Sequence, residues 1–105
     1  MVYFDLTKVK DILGETGDSN NVKINRYGLM ADNFINSDLT GVEPTLPLNP
    51  VPDTVQKIAI ELTVAYFYKF ENGDTTTADQ AEETWARYFV GKYKRPRFYA
   101  TTGTY

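Results

Sequence analysis

The stretch of sequence that decides the fold is residues 53–71, DTVQKIAIELTVAYFYKFE. Most of its apolar side chains recur every three or four residues and form one wide helical face: Val55, Ile58, Ala59, Leu62, Ala65, Tyr66 and Phe70. A second apolar strip, formed by Ile60, Val64 and Phe67, lies more than about 100° away around the helix. A helix that is apolar on two sides must be covered on both. It is therefore either the central helix of a bundle or a helix with one face for its own core and one for a neighbouring subunit.

Two further helices are predicted before this stretch. The first covers about 5–13, with Asp5 as its N-cap and Gly14 at its end, on the helical spacing of Leu6, Val9, Ile12 and Leu13. The second covers about 20–37, on the spacing of Ile24, Tyr27, Ala31, Phe34 and Ile35. Gly28 weakens the middle of the second helix by about 1 kcal/mol relative to alanine. Either two backbones approach closely there, or the helix is simply less stable.

A fourth helix is predicted over about 77–94. Thr77-Ala78-Asp79-Gln80 matches a capping box, and Gly73 suits the left-handed position that ends the preceding helix. The apolar stripe of this helix consists of Ala78, Ala81, Trp85, Tyr88, Phe89 and the stems of Lys92 and Tyr93. Pro96 stops it, and the residues that follow have no helical period. The sequence thus predicts an all-α, four-helix domain over 1–94 and an extended C-terminal arm over 95–105.

The segment that precedes the third helix, residues 41–52, contains four of the five prolines. Proline prevents helix and removes backbone donors, so this segment is predicted to be an extended connection. The spacing Pro44-x-x-Pro47 is also compatible with a polyproline ligand for an aromatic groove. The apolar residues between the prolines, which are Leu46, Leu48 and Val51, favour instead a loop packed on its own domain.

The composition excludes most classes of enzyme. The 105 residues include no cysteine and no histidine, so cysteine nucleophiles, thiolate zinc sites and the commonest general base are missing. We expect no catalytic residue, no metal and no cofactor. The chain lacks a signal-peptide pattern and an apolar run long enough to cross a bilayer, which predicts a protein used inside a cell, away from membranes.

The charge is distributed unevenly along the chain. The net charge is −3, but residues 1–86 hold six basic and fourteen acidic side chains, whereas 87–105 hold five basic and no acidic ones. The run Lys92–Tyr99 mixes cations with aromatic rings, a combination that single-stranded nucleic-acid binders use. Arginine and tyrosine also anchor protein interfaces, and an extended strand can add to a sheet edge in a partner. The acidic body favours protein contact, and binding of nucleic acid stays an alternative.

Several stretches together resemble one family. They are residues 5–13 (DLTKVKDIL), the second helix ending near Phe34-Ile35, the proline-rich connection and, above all, residues 55–72 (VQKIAIELTVAYFYKFEN). Over about residues 5–95 the order of these elements resembles the small helical head-tail connector proteins, also called adaptor or head completion proteins, of long-tailed double-stranded DNA phages and related viruses. The resemblance is one of order and pattern and involves no catalytic signature.

The resemblance implies a structural virion protein, assembled in the host cytoplasm, that forms a ring beneath the portal. Such rings commonly hold twelve copies, join the portal to stopper or tail-terminator proteins of the neck, and let DNA pass without specific binding. The C-terminal arm typically docks on the portal, which here implies Arg95, Arg97, Phe98, Tyr99 and Tyr105. For the contact between subunits we expect the second strip of the third helix and two apolar residues on the polar side of the second: Ile60, Val64, Phe67, Val22 and Leu29.

A ring through which DNA passes needs a lumen that does not grip phosphate, since each neutralised phosphate adds affinity. An acidic body fits that requirement. We therefore hypothesise that some of the acidic residues in the first half of the chain face the lumen: Asp11, Glu15, Asp18, Asp32 and Asp38. Two alternatives from other classes stay open, a nucleic-acid-binding protein that uses residues 87–99 and a different neck or tail component.

Overall fold

The computed structural model describes residues 3–96, and this part of the chain folds into helices joined by loops, without a β-strand. The four helices are α1 (Leu6–Leu13), α2 (Asn21–Leu39), α3 (Asp53–Asn72) and α4 (Thr75–Tyr93). The predicted all-α, four-helix fold is confirmed, and each helix lies within two residues of its predicted bounds.

Helix α3 is central, because it packs against each of the other three helices. Leu62 and Ala65 on its predicted core face are fully buried, and the second strip is also covered, with Ile60 8% and Val64 7% exposed. Of the two alternatives for this helix, the central one is confirmed. Phe70, which was expected on the core face, is instead 51% exposed, because it lies in the last turn of α3 where the other helices no longer cover it.

The helix ends follow local capping chemistry. Asp5 accepts a hydrogen bond from the Lys8 backbone N–H, and Gly14 and Gly73 end α1 and α3 in the left-handed conformation, each with φ of 76°. The predicted capping box at Thr77 is wrong. The N-cap of α4 is Asp74, whose carboxylate accepts from the backbone N–H groups of residues 76 and 77, so the helix begins two residues earlier than predicted.

The N-terminal segment is packed on α2. The ring of Phe4 lies so close to Gly28 that a Cβ at residue 28 would stand 2.3 Å from ring carbons. Gly28 therefore allows an aromatic ring to approach the helix closely. The predicted close approach is thus that of a side chain and not of a second backbone. The backbone N–H of Tyr3 donates to Asp32 Oδ1 at 3.1 Å, and the Tyr3 hydroxyl donates to Asn36 Oδ1 at 2.6 Å.

Residues 40–52 connect α2 to α3 without regular structure. The three apolar residues between the prolines are half-buried and pack against the core, as expected of a loop that covers its own domain: Leu46, Leu48 and Val51. The Leu48 N–H donates to the Tyr3 hydroxyl at 2.8 Å, which ties the connection to the N-terminal segment. At its start, the Gly41 carbonyl accepts from Arg95 Nη1 at 3.1 Å. The rest of the predicted arm, residues 97–105, lies outside the described residues.

Candidate functional site

A groove runs along the side of α3 that faces away from α2. Its larger part, of about 640 Å³, lies between α1 and α3 and is lined by Lys8, Asp11, Ile12, Asp53, Gln56, Lys57, Ile60 and Glu61. Its smaller part, of about 330 Å³, lies between α3 and α4 and is lined by Ile12, Glu61, Val64, Thr77, Gln80, Ala81 and Thr84. The linings of the two parts share Ile12 and Glu61, and the two parts together are called here the groove.

The floor of the groove is apolar and carries one acid at its middle. Ile12 is 56% exposed there, and the nearly buried Ile60 and Val64 show the groove only a small part of their surface. Glu61 stands between them and is half-exposed. Lys57 precedes Glu61 by four residues, a helical spacing at which the two side chains can form an ion pair. Within residues 3–96, however, Glu61 forms no ion pair. The groove therefore offers an apolar surface with an acid that no cation of the described chain neutralises by direct contact.

A second apolar surface lies on α2, on the side opposite the core. Val22 is 73%, Leu29 53% and Met30 37% exposed. Arg26 follows Val22 by four residues and precedes Leu29 by three, so it lies between them on the same face of the helix. Val22, Arg26, Leu29 and Met30 are called here the α2 outer face. Sequence reasoning identified Val22 and Leu29 because they interrupt a polar side, but it missed Met30.

The predicted subunit-contact residues divide into two groups. Val22 and Leu29 are exposed and free to meet another molecule. Ile60 and Val64 are mostly used within the chain, and Phe67 is half-buried, with its ring 6.0 Å from that of Tyr27 in an edge-to-face contact. The other helices cover most of this strip, so a neighbour can reach only the part of Ile60 and Val64 that lines the groove, and the role of the strip in a subunit contact stays a prediction.

Two of the five acids expected in a lumen are inside the fold, so that part of the hypothesis is wrong. Asp38 is fully buried and accepts a hydrogen bond from the indole N–H of Trp85 at 2.7 Å. Asp32 is 5% exposed and receives the Tyr3 N–H. Burial raises the pKa of Asp32 to about 6. Hydrogen bonds from the backbone N–H groups of residues 3 and 4 lower this pKa and so offset part of the increase. Both acids serve the packing of the chain.

The other three acids remain at the surface near the C-terminal end of α1. Asp11 is exposed and lines the groove. Glu15 accepts from Asn20 Nδ2 at 2.8 Å, and Asp18 pairs with Lys10 at 3.0 Å. The hydrogen bond and charge of Lys10 lower the pKa of Asp18. Glu15 and Asp18 therefore lie in the connection between α1 and α2, whereas Asp11 lies on α1 itself.

The described part of the basic C-terminal run is tied to the fold. The Tyr93 hydroxyl donates to Glu43 Oε2 at 2.6 Å, and its ring lies 4.9 Å from that of Phe89. Burial and the Glu43 carboxylate raise the pKa of Tyr93. Lys92 Nζ lies over the rings of Tyr88 and Tyr93 at 5.8 and 5.7 Å. These two rings already have neighbours, whereas Arg97, Phe98, Tyr99 and Tyr105 lie outside the described residues.

Sequence reasoning also missed a polar cluster where the start of α2 meets the end of α3. Glu71 accepts a short hydrogen bond from the Tyr27 hydroxyl and pairs with Lys23 at 3.0 Å. These contacts lower the pKa of Glu71 and raise that of Tyr27. The exposed ring of Phe70 stacks on Tyr27 with 5.7 Å between centroids. The cluster joins α2 to α3. Its members come together only because the two helices pack side by side, which the spacing of residues in the sequence does not show.

Neither a metal centre nor a membrane span emerges from the part of the chain that the structure describes. Residues 3–96 contain no group of three or more acidic or other metal-ligating side chains placed to hold an ion. None of the four described helices is both long and apolar enough to cross a bilayer. Comparison of the chain with protein-family models, with curated proteins and with solved structures finds no match.

Proposed function

We propose that this protein is a structural, non-enzymatic subunit of a ring that joins the portal of a tailed double-stranded DNA virus to its neck or tail proteins. The observation that carries the proposal is that, within residues 3–96, one small domain has two different apolar surfaces that no described residue covers, the groove and the α2 outer face. A ring built from identical subunits needs such a pair, because each copy presents one surface to the copy ahead and another to the copy behind.

The order and lengths of the helices also support the proposal. The long apolar α3, preceded by two helices and a proline-rich connection, is the feature on which the resemblance to head-tail connectors depends. In this proposal DNA passes through a lumen to which the surface acids contribute: Asp11, Glu15 and Asp18. Acidic side chains do not bind the phosphates of DNA, because they carry the same charge, so DNA can pass through the lumen.

The C-terminal arm is the proposed contact with the portal. Arg95 lies at the base of the arm, where its guanidinium donates a hydrogen bond to the Gly41 carbonyl. The arm therefore starts between the α2–α3 connection and the end of α4. Downstream of Arg95 the chain offers one more cation and several aromatic rings: Arg97, Phe98, Tyr99 and Tyr105. Residues of these types supply most of the binding energy in protein interfaces.

The test is native mass spectrometry of the full chain, alone and mixed with a portal protein from the same genome. A ring of about twelve copies, formed alone or only on the portal, is expected of a closed head-to-tail assembly. The double variant Arg97→Ala with Phe98→Ala should weaken portal binding and leave the circular dichroism spectrum unchanged. Thr101→Ala with Thr102→Ala is the matched control in the same arm and should bind normally.

Two outcomes would overturn the proposal. One is a chain that stays monomeric and ignores the portal at every concentration. The other is a monomer that shifts a labelled single-stranded oligonucleotide with a steep salt dependence, which would favour the nucleic-acid alternative for residues 87–99.

A further inference from the structure

We infer that the α2 outer face of one copy docks into the groove of the next copy, with Arg26 placed against Glu61. This inference rests on the proposed function, since it names the surfaces through which the proposed ring closes. It concerns a contact between identical chains, and it assigns a role to two surfaces that residues 3–96 of a single copy leave uncovered.

The two surfaces match in pattern and in charge. On α2, apolar side chains flank a cation in the order Val22, Arg26, Leu29. In the groove, Glu61 lines both parts together with Ile12 from α1, and the apolar Ile60 and Val64 of α3 contribute to the same lining. Within residues 3–96 neither Arg26 nor Glu61 forms a direct ion pair, and the charge of Arg26 acts only at longer range, on Glu71 and Tyr27. Bringing them together pairs two opposite charges while apolar surface is removed from water on both sides.

The dimensions are also compatible. Val22 and Leu29 are seven residues apart, which is about 10 Å along a helix. The groove follows α3 from Asp53 to Val64, about 16 Å at the same rise per residue. Two turns of α2 therefore fit within its length. The groove is also lined by two further cations and two further acids, and charged residues usually lie at the rim of an interface: Lys8, Lys57, Asp11 and Asp53.

The proposed contact is heterologous. No residue that lines the groove belongs to α2, so one copy uses its α2 outer face to occupy a neighbour and keeps its own groove available. A contact of this type continues from copy to copy and either closes into a ring or grows as a filament. An isologous pair, in which two α2 outer faces meet, would stop at a dimer.

The absence of cysteine from the sequence provides a direct test, because engineered thiols have no native competitor. The double variant Ile12→Cys with Leu29→Cys of the full chain should give a ladder of disulfide-linked multimers under mild oxidation, alone or with portal protein added. Each single variant should stay uncrosslinked. Asp79→Cys with Leu29→Cys is the matched control, because Asp79 is exposed on α4 and does not line the groove. Thiols not brought within bonding distance cannot be linked.

Charge reversal tests the register of the contact. Arg26→Glu and Glu61→Arg should each weaken self-association, measured by sedimentation velocity, by about tenfold or more, and the two changes combined should restore it to within about threefold. Two exposed α4 positions are the controls, Arg87→Glu and Asp79→Arg. Each should change the strength of self-association by less than about threefold. Circular dichroism checks that each variant is folded.

The outcomes separate this inference from the proposed function. A ring on the portal with no crosslinked ladder and no effect of charge reversal overturns the docking arrangement and leaves the ring intact. Crosslinked dimers from Leu29→Cys alone indicate an isologous contact and also overturn it. A chain that neither self-associates nor binds portal overturns both.

Discussion

The substitution Gly28→Ala tests the packing of the N-terminal segment, because two opposing effects act at this residue. In a helix interior, alanine is more favourable than glycine by about 1 kcal/mol. At residue 28, however, the added Cβ would lie 2.3 Å from the ring of Phe4, so the ring must leave its place. Phe4 is 6% exposed, and full burial of such a side chain is worth about 1.5–3 kcal/mol. Loss of most of this burial outweighs the gain in helix propensity.

We therefore expect Gly28→Ala to lower the free energy of unfolding by about 0.5–2 kcal/mol, which is ~2–16 °C in Tm for a domain of this size. Urea titration followed by the fluorescence of Trp85, the single tryptophan and a fully buried one, measures this directly. Gly91→Ala is the matched control. Gly91 is also within a helix, a Cβ there meets nothing within 4 Å, and the substitution should stabilise by about 0.5–1 kcal/mol.

The sign should reverse once the ring is removed. In a Phe4→Ala background, Gly28→Ala no longer displaces anything and should stabilise the protein by about 1 kcal/mol. The reasoning is refuted if Gly28→Ala stabilises the native sequence as much as Gly91→Ala does, since Phe4 would then not be seated on α2.

Two other substitutions test a buried acid and a helix cap. Burial raises the pKa of Asp32 to about 6 from its ordinary 3.8, so the folded state keeps a proton that the unfolded state releases. The free energy of unfolding should therefore fall by about 2 kcal/mol as pH rises from 4 to 6. Urea titrations of Asp32→Asn across this pH range should show no such fall in the free energy of unfolding. A fall of the same size in this variant would contradict the assignment of the pH dependence to Asp32. Asp74→Ala should cost about 1 kcal/mol, because it removes the cap of α4, whereas Asp79→Ala should change stability by no more than a few tenths. Equal effects of the two substitutions in thermal unfolding would contradict the assignment of Asp74 as the cap.

The helices could be predicted from the sequence because the information that sets them is local. The apolar period of residues 53–71, Asp5 as a cap and Gly73 as an end signal all act within a few residues. The predicted end of α2 was two residues short, since Leu39 is held in the helix by burial in the core. The start of α4 was also misplaced. Asp74 and Thr77 are both good caps by residue type, and spacing alone did not decide between them.

The site was less predictable because it depends on how the helices meet. Val22 and Leu29 could be recognised as apolar residues on a polar side. Ile60 and Val64 were also recognised as a separate strip, but spacing along α3 does not show that α1 and α4 cover it. Asp32 and Asp38 carry no local sign of burial, since each depends on a donor about 30 or more residues away in sequence. The groove itself exists only where three helices come together.

The central claim is that identical copies of this chain form a ring that binds a portal. Native mass spectrometry of the full chain mixed with a portal protein from the same genome tests it most directly. The account predicts a complex in which about twelve copies bind one portal, with no stable mixture of smaller species, because a heterologous contact closes at one ring size. A chain that remains monomeric beside the intact portal, at concentrations where the Ile12→Cys and Leu29→Cys double variant also fails to crosslink, would contradict it.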